Sequence, residues 1–239
     1  MNKHKEHKEK KEKKKAVILL SGGLDSLTCL ALAQSQGYET YPISFDYGQK
    51  HRAELDAAQN ISKIYNSPHK IIQIQDLGKM GGSALTDLTI QVKNSDQNLP
   101  DTIPNTYVPS RNIIFLSIAA SYAEIIQANA IFIGVSAVDY SGYPDCRPEF
   151  IQAFSKVLEV GTKAGVEKNN QAIQIQAPLL HLSKAQTIQL GLSLGVDYSL
   201  SISCYRANEK GEACGTCDSC KLRRCGFESL GIPEQTRRI

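Results

Sequence analysis

Four cysteines close to the C-terminus have a spacing that suits a single metal ion. Cys204, Cys214, Cys217 and Cys220 form the pattern C-x9-C-x2-C-x2-C, and Asn, Gly and Lys lie in the long gap. Zinc favours four thiolates in tetrahedral geometry, and closely spaced cysteines reach one ion without straining the chain. We therefore predict one structural Zn²⁺ per chain, bound by these four thiolates.

The same segment also admits an iron–sulfur cluster. Cys214, Cys217, Cys220 and Cys225 read C-x2-C-x2-C-x4-C, which is close to the spacing of bacterial ferredoxins. The last gap is one residue too long for that spacing, and no proline follows Cys225. Zinc with Cys204 is therefore the preferred prediction, and the iron–sulfur cluster is the alternative.

A serine and glycine turn near the N-terminus suits the binding of phosphate. Residues 21–23, Ser-Gly-Gly, follow the apolar run 16–20 and precede a helical pattern that contains Asp25 and Ser26. Backbone N–H groups and the dipole at the start of a helix attract anions, and adjacent glycines let the main chain approach a phosphate closely. The chain has no Walker A sequence and no G-x-G-x-x-G. The junction therefore predicts a phosphate loop of another type.

A later segment, DYSGYPDCRPEF (139–150), is rich in residues that bind polar ligands. Asp139, Tyr143, Asp145 and Arg147 follow a predicted strand, at the edge where open α/β sheets bind ligands. Aromatic rings stack on flat heterocycles, and carboxylates accept from the N–H edge of a guanine-like ring. We predict that these four residues bind a heterocyclic substrate. A proline-rich turn with only a structural role is the alternative.

The elements that must position these groups alternate between short strand patterns and longer helical patterns, which is typical of a parallel sheet covered by helices. The predicted strands are residues 16–20, 38–48, 69–75, 130–136 and 172–178, the last stopped by Pro178. The predicted helices are residues 24–37, closed by Gly37, then 51–66, 111–130, 148–165 and 183–195, the last capped by Ser183. Residues 76–110 lack periodicity, and a loop of that length usually lines a site. The expected fold is α/β, a parallel sheet flanked by helices on both faces, with a C-terminal zinc-binding segment.

Composition and charge narrow the functional classes. The 239 residues are 41% hydrophobic, which is enough for one sizeable core, and the apolar runs are too short to span a bilayer. The first 15 residues hold eight Lys and three Glu, so the remainder carries −2 although the whole chain carries +3. A net charge of −2 lacks the positive excess with which proteins bind the phosphate backbone of nucleic acids. The first 15 residues also lack the apolar stretch of a secretory signal. We therefore expect a cytoplasmic protein that requires neither nucleic acid nor a membrane.

The motif SGGLDS (21–26) resembles the SGGxDS loop of the ATP-pyrophosphatase, or PP-loop, superfamily. Further motifs follow in order: GGSALTD (81–87), TYVPSRN (106–112), GYPDCRPEF (142–150) and the four cysteines. Together they resemble the 7-cyano-7-deazaguanine synthase family of the queuosine pathway, from about residue 16 to the C-terminus. Two positions depart from that family's pattern: Ser110 stands where Gly or Ala is frequent, and Gln186 where Glu is common.

The resemblance implies an ATP-dependent ligase that forms carbon–nitrogen bonds. It would convert 7-carboxy-7-deazaguanine and ammonia into the nitrile preQ0 through an adenylated acid and an amide. The implied catalytic residues are Asp25, as a ligand of the Mg²⁺ that accompanies ATP, Lys184 near the phosphates, and Arg111 against a phosphate or the substrate carboxylate. Cys146 is a candidate nucleophile, although adenylation makes a thioester unnecessary. The implied ATP-binding residues are Leu19, Leu20, Ser21, Gly22, Gly23, Leu24, Asp25, Ser26, Leu27, Thr28 and Cys29.

The expected organisation has three parts: a basic disordered tail (1–15), a PP-loop ATP-binding domain (16–200), and a zinc-binding segment (201–239) packed on that domain. The expected partners are small molecules, and a homodimer is compatible with this organisation. Two other functional classes stay open: a PP-loop enzyme that modifies a tRNA base, for example by thiolation, and a non-catalytic zinc-dependent nucleic-acid-binding module. The first would need RNA, and the second leaves SGGLDS without a purpose.

Overall fold

Five parallel strands form the centre of the molecule, in the order β3-β2-β1-β4-β5. The computed structural model describes residues 13–50, 52–93, 103–136, 142–167, 172–208, 210–234 and 236. The strands are β1 (Lys15–Leu19), β2 (Glu39–Asp46), β3 (Lys70–Gln73), β4 (Ala130–Phe132) and β5 (Gln174–Gln176). The helices are α1 (Leu24–Ser35), α2 (Ala53–Ile64), α3 (Asp76–Lys79), α4 (Arg111–Ile126), α5 (Pro148–Gly161), α6 (Lys163–Val166), α7 (Lys184–Ser193) and α8 (Asp218–Glu228).

Both faces of the sheet are buried. Along β1, Val17 and Leu19 belong to one apolar core, whereas Ala16 and Ile18 belong to the other. Successive side chains of a strand point to opposite faces, so a strand buried on both sides is apolar throughout. Helices α4 and α5 cover the first face, and α1, α2 and α7 cover the second. The predicted fold class, a parallel sheet with helices on both faces, is confirmed.

The strand order reverses between β1 and β4, since β1 connects onward to β2 but pairs on its other side with β4. Ligands of open α/β sheets bind in the crevice outside the carboxyl ends of the strands at such a reversal. The chain comes very close to itself there: a Cβ atom on Gly134, after β4, would lie 3.0 Å from the carbonyl carbon of Asp25. The phosphate loop and the loop after β4 therefore meet at this crevice.

Most predicted elements are present, and their ends follow the expected signals. Ser183 and Gln186 form a capping box at the start of α7, and Gly37 follows α1 with a φ of +84°, a conformation that favours glycine. The predicted helix 148–165 is interrupted because Thr162 is extended and caps α6. Strand β1 begins at Lys15, the last residue of the predicted tail, and residues 1–12 lie outside the described part.

Helix α8 was not predicted. Its sequence DSCKLRRCGFE is rich in charged residues and contains one cysteine of the predicted zinc set, Cys220. It therefore lacks a broad apolar stripe. The helix is nevertheless anchored in the core by Phe227. This ring packs edge-on against Tyr198, and both residues belong to the core that includes residues of α1 and α7. The boundaries of the three predicted parts of the chain stay a prediction. Within the described residues, no helix is long and apolar enough to cross a membrane.

Candidate active site

A cavity of about 270 Å³ opens at the carboxyl ends of β1, β2 and β4. The predicted site residues that line it are Leu19, Leu20, Ser21, Gly23, Leu24, Asp25, Ser26, Arg111, Tyr143, the candidate nucleophile Cys146, and Lys184. Among the described residues that line the cavity, four are cationic and two are acidic. A cavity with that excess of positive charge favours anionic ligands. The phosphate loop and part of the predicted substrate segment therefore share one cavity.

The phosphate loop has a shape that its glycines permit. Gly22 has a φ of +93°, and a Cβ atom on it would lie 2.1 Å from the carbonyl oxygen of Glu54 in α2. Only glycine fits that position. The hydroxyl of Ser26 donates to the carbonyl of Gly23 at 2.9 Å, and the Gly23 N–H donates to the hydroxyl of Ser21 at 3.2 Å. Two serine hydroxyls are thus held beside the start of α1.

Asp25 and Lys184 form an ion pair across the crevice. The Lys184 ammonium donates to both carboxylate oxygens of Asp25, at 2.8 and 2.7 Å. The side chains are 14% exposed for Lys184 and 25% exposed for Asp25. Asp25 lies in the first turn of α1 and Lys184 in the first turn of α7. The fold therefore places two oppositely charged residues that are 159 positions apart in the sequence side by side in the cavity.

Aromatic rings form another part of the cavity wall. Phe45 and Phe115 stack with their ring centroids 4.0 Å apart and an interplanar angle of 8°. Arg111 begins α4, donates to the Tyr47 hydroxyl at 3.3 Å and lies over that ring. An arginine guanidinium stays charged at every physiological pH. This part of the cavity therefore combines a flat apolar surface with one fixed positive charge.

Ser110, directly before Arg111, has a backbone conformation that favours glycine. Ser110 has a φ of 57°, in the left-handed region that glycine adopts without steric cost. The residue comes directly before α4, where the chain must turn sharply. Glycine would therefore be the conformationally favoured residue at this position, and serine is a tolerated one.

The four C-terminal cysteines come together as a possible ligand set. Their sulfur atoms all lie within 4.8 Å of one another, with 3.9 Å between Cys204 and Cys217 and 3.5 Å between Cys217 and Cys220. A tetrahedral zinc with Zn–S bonds of about 2.3 Å places its sulfurs roughly 3.8 Å apart. Cys225 is exposed and outside the group. The cluster of Cys204, Cys214, Cys217 and Cys220 can hold one metal ion.

Backbone donors favour thiolates within this cluster. The N–H groups of Arg206 and Cys214 donate to the sulfur of Cys204 at 3.3 and 3.2 Å. At Cys214, burial acts to raise the pKa of the thiol, but the backbone donors of Thr216 and Cys217 lower it overall. Metals bind the deprotonated thiolate, so these donors favour the form of Cys214 that binds a cation.

Comparison with known proteins agrees with the geometry. The family model described as queuosine biosynthesis protein QueC matches residues 15–231. The chain belongs to the QueC family. A 7-cyano-7-deazaguanine synthase from Saccharophagus degradans is 59% identical over 224 residues, which are 93% of this chain and 97% of that protein. Another from Coxiella burnetii is 57% identical over 225 residues, 94% of this chain and 98% of that one. The family resemblance predicted from the motifs is confirmed.

Some predicted nucleotide-binding residues of this QueC-family chain lie beneath the loop. Leu27 and Cys29 are fully buried in the core, and burial raises the pKa of the Cys29 thiol far above its ordinary value. The Thr28 hydroxyl lies 2.7 Å from the Tyr198 hydroxyl, away from the cavity wall. These residues support the loop from below, and their direct contact with ATP stays a prediction.

The predicted substrate residues of this QueC-family chain divide into two groups. Tyr143 lines the cavity, and its hydroxyl lies 2.7 Å from that of Thr106. The Asp145 carboxylate is buried and accepts from the Asn112 N–H at 2.8 Å, in the first turn of α4. That carboxylate caps the helix that carries Arg111. Arg147 is exposed, and Asp139 lies outside the described residues. Direct contacts of these last three residues with a substrate stay predictions.

Sequence reasoning missed an acidic residue of the cavity wall. Glu54 lies in the first turn of α2 and lines the cavity. Burial raises the pKa of its carboxyl from 4.5 to about 7, and the positive charge of Arg111 acts in the opposite direction. Its signal in the sequence was one glutamate in an ordinary amphipathic helix, so only the position of α2 against the phosphate loop reveals it.

This pKa predicts how stability changes with pH. The folded state keeps a proton on Glu54 up to about pH 7, whereas the unfolded chain releases it near pH 4.5. The free energy of unfolding should therefore fall as pH rises through that window. Glu54→Gln should remove this contribution, so its stability relative to wild type should be greater at about pH 8 than at about pH 5.5. Urea denaturation at both pH values checks this, with the exposed Glu149→Gln as control. An unchanged difference at both pH values would contradict the assignment.

Proposed function

We propose that this chain is a 7-cyano-7-deazaguanine synthase, converting 7-carboxy-7-deazaguanine, ammonia and ATP into the nitrile preQ0. The observation that carries the proposal is the shared cavity, which joins the Ser-Gly-Gly loop and the Asp25–Lys184 pair to an aromatic wall with Arg111. ATP and a flat heterocyclic acid need these two surfaces side by side. The names of the similar proteins support the same activity.

The proposed chemistry activates an oxygen twice. The carboxylate oxygen attacks the α-phosphorus of ATP and releases pyrophosphate, and ammonia then displaces AMP from the acyl adenylate to give the amide. The amide oxygen attacks a second ATP, again with release of pyrophosphate, and loss of AMP and of the two N–H protons leaves the nitrile. Both rounds need the same arrangement of ATP against an acyl oxygen, so positioning and electrostatic stabilisation should provide most of the catalysis.

The phosphate side of the cavity has proposed roles for each polar group. Backbone N–H groups at the start of α1 and the hydroxyls of Ser21 and Ser26 bind the phosphates. Lys184 neutralises charge on them. Asp25 binds the Mg²⁺ that accompanies ATP, because carboxylate oxygens are the ligands this ion prefers. When bound, Mg²⁺ offsets the negative charge that the phosphates carry.

The aromatic side of the cavity is assigned to the deazaguanine. Phe115 and Tyr143 provide flat surfaces for the ring, and Arg111 binds the carboxylate that is to be activated. Asp145 then acts on Arg111 indirectly, because it caps the first turn of α4. We propose zinc as the metal at the cysteine cluster, where four thiolates would close the site and leave no position for substrate.

The decisive experiment is mass spectrometry of the products. Incubation with 7-carboxy-7-deazaguanine, ammonium and ATP should give preQ0, and the amide supplied alone with ATP should also give it. Benzoate should not react, because it lacks the N–H groups of the heterocycle. The polar groups of the site that pair with those N–H groups would then be left unsatisfied. The same runs identify the nucleotide product of each activation.

A defined outcome would overturn this proposal. ATP consumption that requires tRNA, with both the deazaguanine acid and its amide left untouched, would replace it by tRNA modification. No ATP consumption under any of these conditions would favour the non-catalytic alternative.

A further inference from the structure

The C-terminal segment with the metal-binding cysteines also forms part of the cavity wall. Ser203, Ser219 and Arg223 line the cavity together with the phosphate loop. Ser203 directly precedes the ligand Cys204, and Ser219 directly precedes Cys220. A segment expected to be only a structural clamp therefore faces the nucleotide side of the cavity.

Two hydrogen bonds join this segment to the phosphate loop. The Ile202 N–H donates to the carbonyl of Gly22 at 2.9 Å, and the Leu24 N–H donates to the hydroxyl of Ser203 at 3.1 Å. Leu24 is the first residue of α1, and the first N–H groups of a helix have no partner within the helix. The Ser203 hydroxyl thus pairs with the first N–H group of α1, beside the phosphate loop.

Ser203 is held in that place by α8. The Ser219 hydroxyl donates to the carbonyl of Ser203. Arg223, which is only 3% exposed, donates to the Ser201 hydroxyl at 2.7 Å, to the Tyr198 carbonyl at 2.8 Å and to Glu234 at 2.7 Å. Ser219 and Arg223, which lie close to Cys220 on α8, therefore hold the backbone around Ser203 in place.

We propose that Ser203 is a further binding residue for the pyrophosphate part of ATP and also positions the phosphate loop. A hydroxyl that accepts from the Leu24 N–H keeps its own hydrogen for donation, and that hydrogen is available to a phosphate oxygen. A Cβ atom on Gly23 would lie 3.4 Å from the Ser21 hydroxyl and 3.5 Å from the Ser203 hydroxyl, so both hydroxyls flank the same turn. The inference rests on the proposed function only in taking ATP as the ligand.

The test measures the binding of inorganic pyrophosphate with Mg²⁺ by calorimetry, without the second substrate. Ser203→Ala should weaken binding by about tenfold, the effect of one hydrogen bond to a charged group. The matched pair Ser203→Thr and Ser203→Val has nearly equal volume and differs in the hydroxyl. Thr should stay within about threefold of wild type, and Val should weaken binding by about tenfold. Metal content should not differ between Thr and Val.

Control variants and contrary outcomes keep this test decisive. Ser199→Ala alters an exposed serine just before the C-terminal segment and should bind pyrophosphate as wild type does. Equal affinities for the Thr and Val variants would overturn the proposal, even if Ser203→Ala failed to fold. Weakened pyrophosphate binding by Val together with unreactive deazaguanine acid would uphold Ser203 and reject the proposed function alone.

Discussion

Replacing Asp25 by Asn is expected to lower ATP-dependent turnover by about a thousandfold while the fold stays intact, because loss of metal-assisted charge stabilisation is worth several kcal/mol. The change removes the charge that faces both Lys184 and the proposed Mg²⁺. It keeps the volume of the side chain, so the loop around Gly22 should not move. Turnover is measured as pyrophosphate release, and folding by near-ultraviolet circular dichroism.

The chain offers a matched control for this variant. Asp76 and Lys79 form an ion pair of the same 2.7 Å length on the surface, where the Asp76 side chain is 87% exposed. Asp76→Asn removes the same charge from the same type of pair and should leave turnover unchanged, because exposed ion pairs contribute little. A folded Asp25→Asn protein with the turnover of the control would refute the role of Asp25.

The second large effect is expected from Cys204→Ser. Binding of zinc by four thiolates contributes on the order of 10 kcal/mol to the folding of such segments. The variant should lose its metal, and the segment that holds Ser203 should unfold or aggregate. Elemental analysis should find about one zinc per wild-type chain and little in the variant. Limited proteolysis should then cut residues 201–234 of the variant first.

Cys225→Ser separates the two possible ligand sets. Cys225 is exposed on α8 and outside the group of four sulfurs, so its replacement should leave metal content and melting temperature unchanged. An iron–sulfur cluster built with Cys225 would give the reverse result. Iron in the purified protein, with visible absorption lost in Cys225→Ser, would overturn the zinc assignment.

Local patterns were sufficient for much of the fold. The apolar run 16–20 predicted the first strand, and the Ser-Gly-Gly turn after it predicted where α1 begins. Both signals are local, because strand periodicity and helix caps depend on residues within a few positions of one another. The four cysteines were identified in the same way, since short spacings restrict which sulfurs can share an ion.

Other parts of the site depend on contacts between distant segments. Asp145 looks like a substrate ligand in its own segment, but it caps α4 because that helix starts beside it. Glu54 and Ser203 carry no motif, and they reach the cavity only through the packing of α2 and the C-terminal segment. Helix α8 was missed because it has few apolar residues. Its buried face includes Arg223, which forms an ion pair with Glu234, and no local pattern indicates that a charged residue is buried there.

The strand order also fixes when the nucleotide site can exist during synthesis on the ribosome. Strands β1 and β2 pair early, but β1 must wait for β4, whose Ala130 lies 114 residues after its partner Ala16. Domains fold as their N-terminal parts emerge, and distant pairings form late. Lys184 and Ser203 leave the ribosome later still. All five strands of a nascent chain thus precede the residues that complete the phosphate site, Lys184 and Ser203. ATP is therefore expected to stabilise only the nearly finished protein.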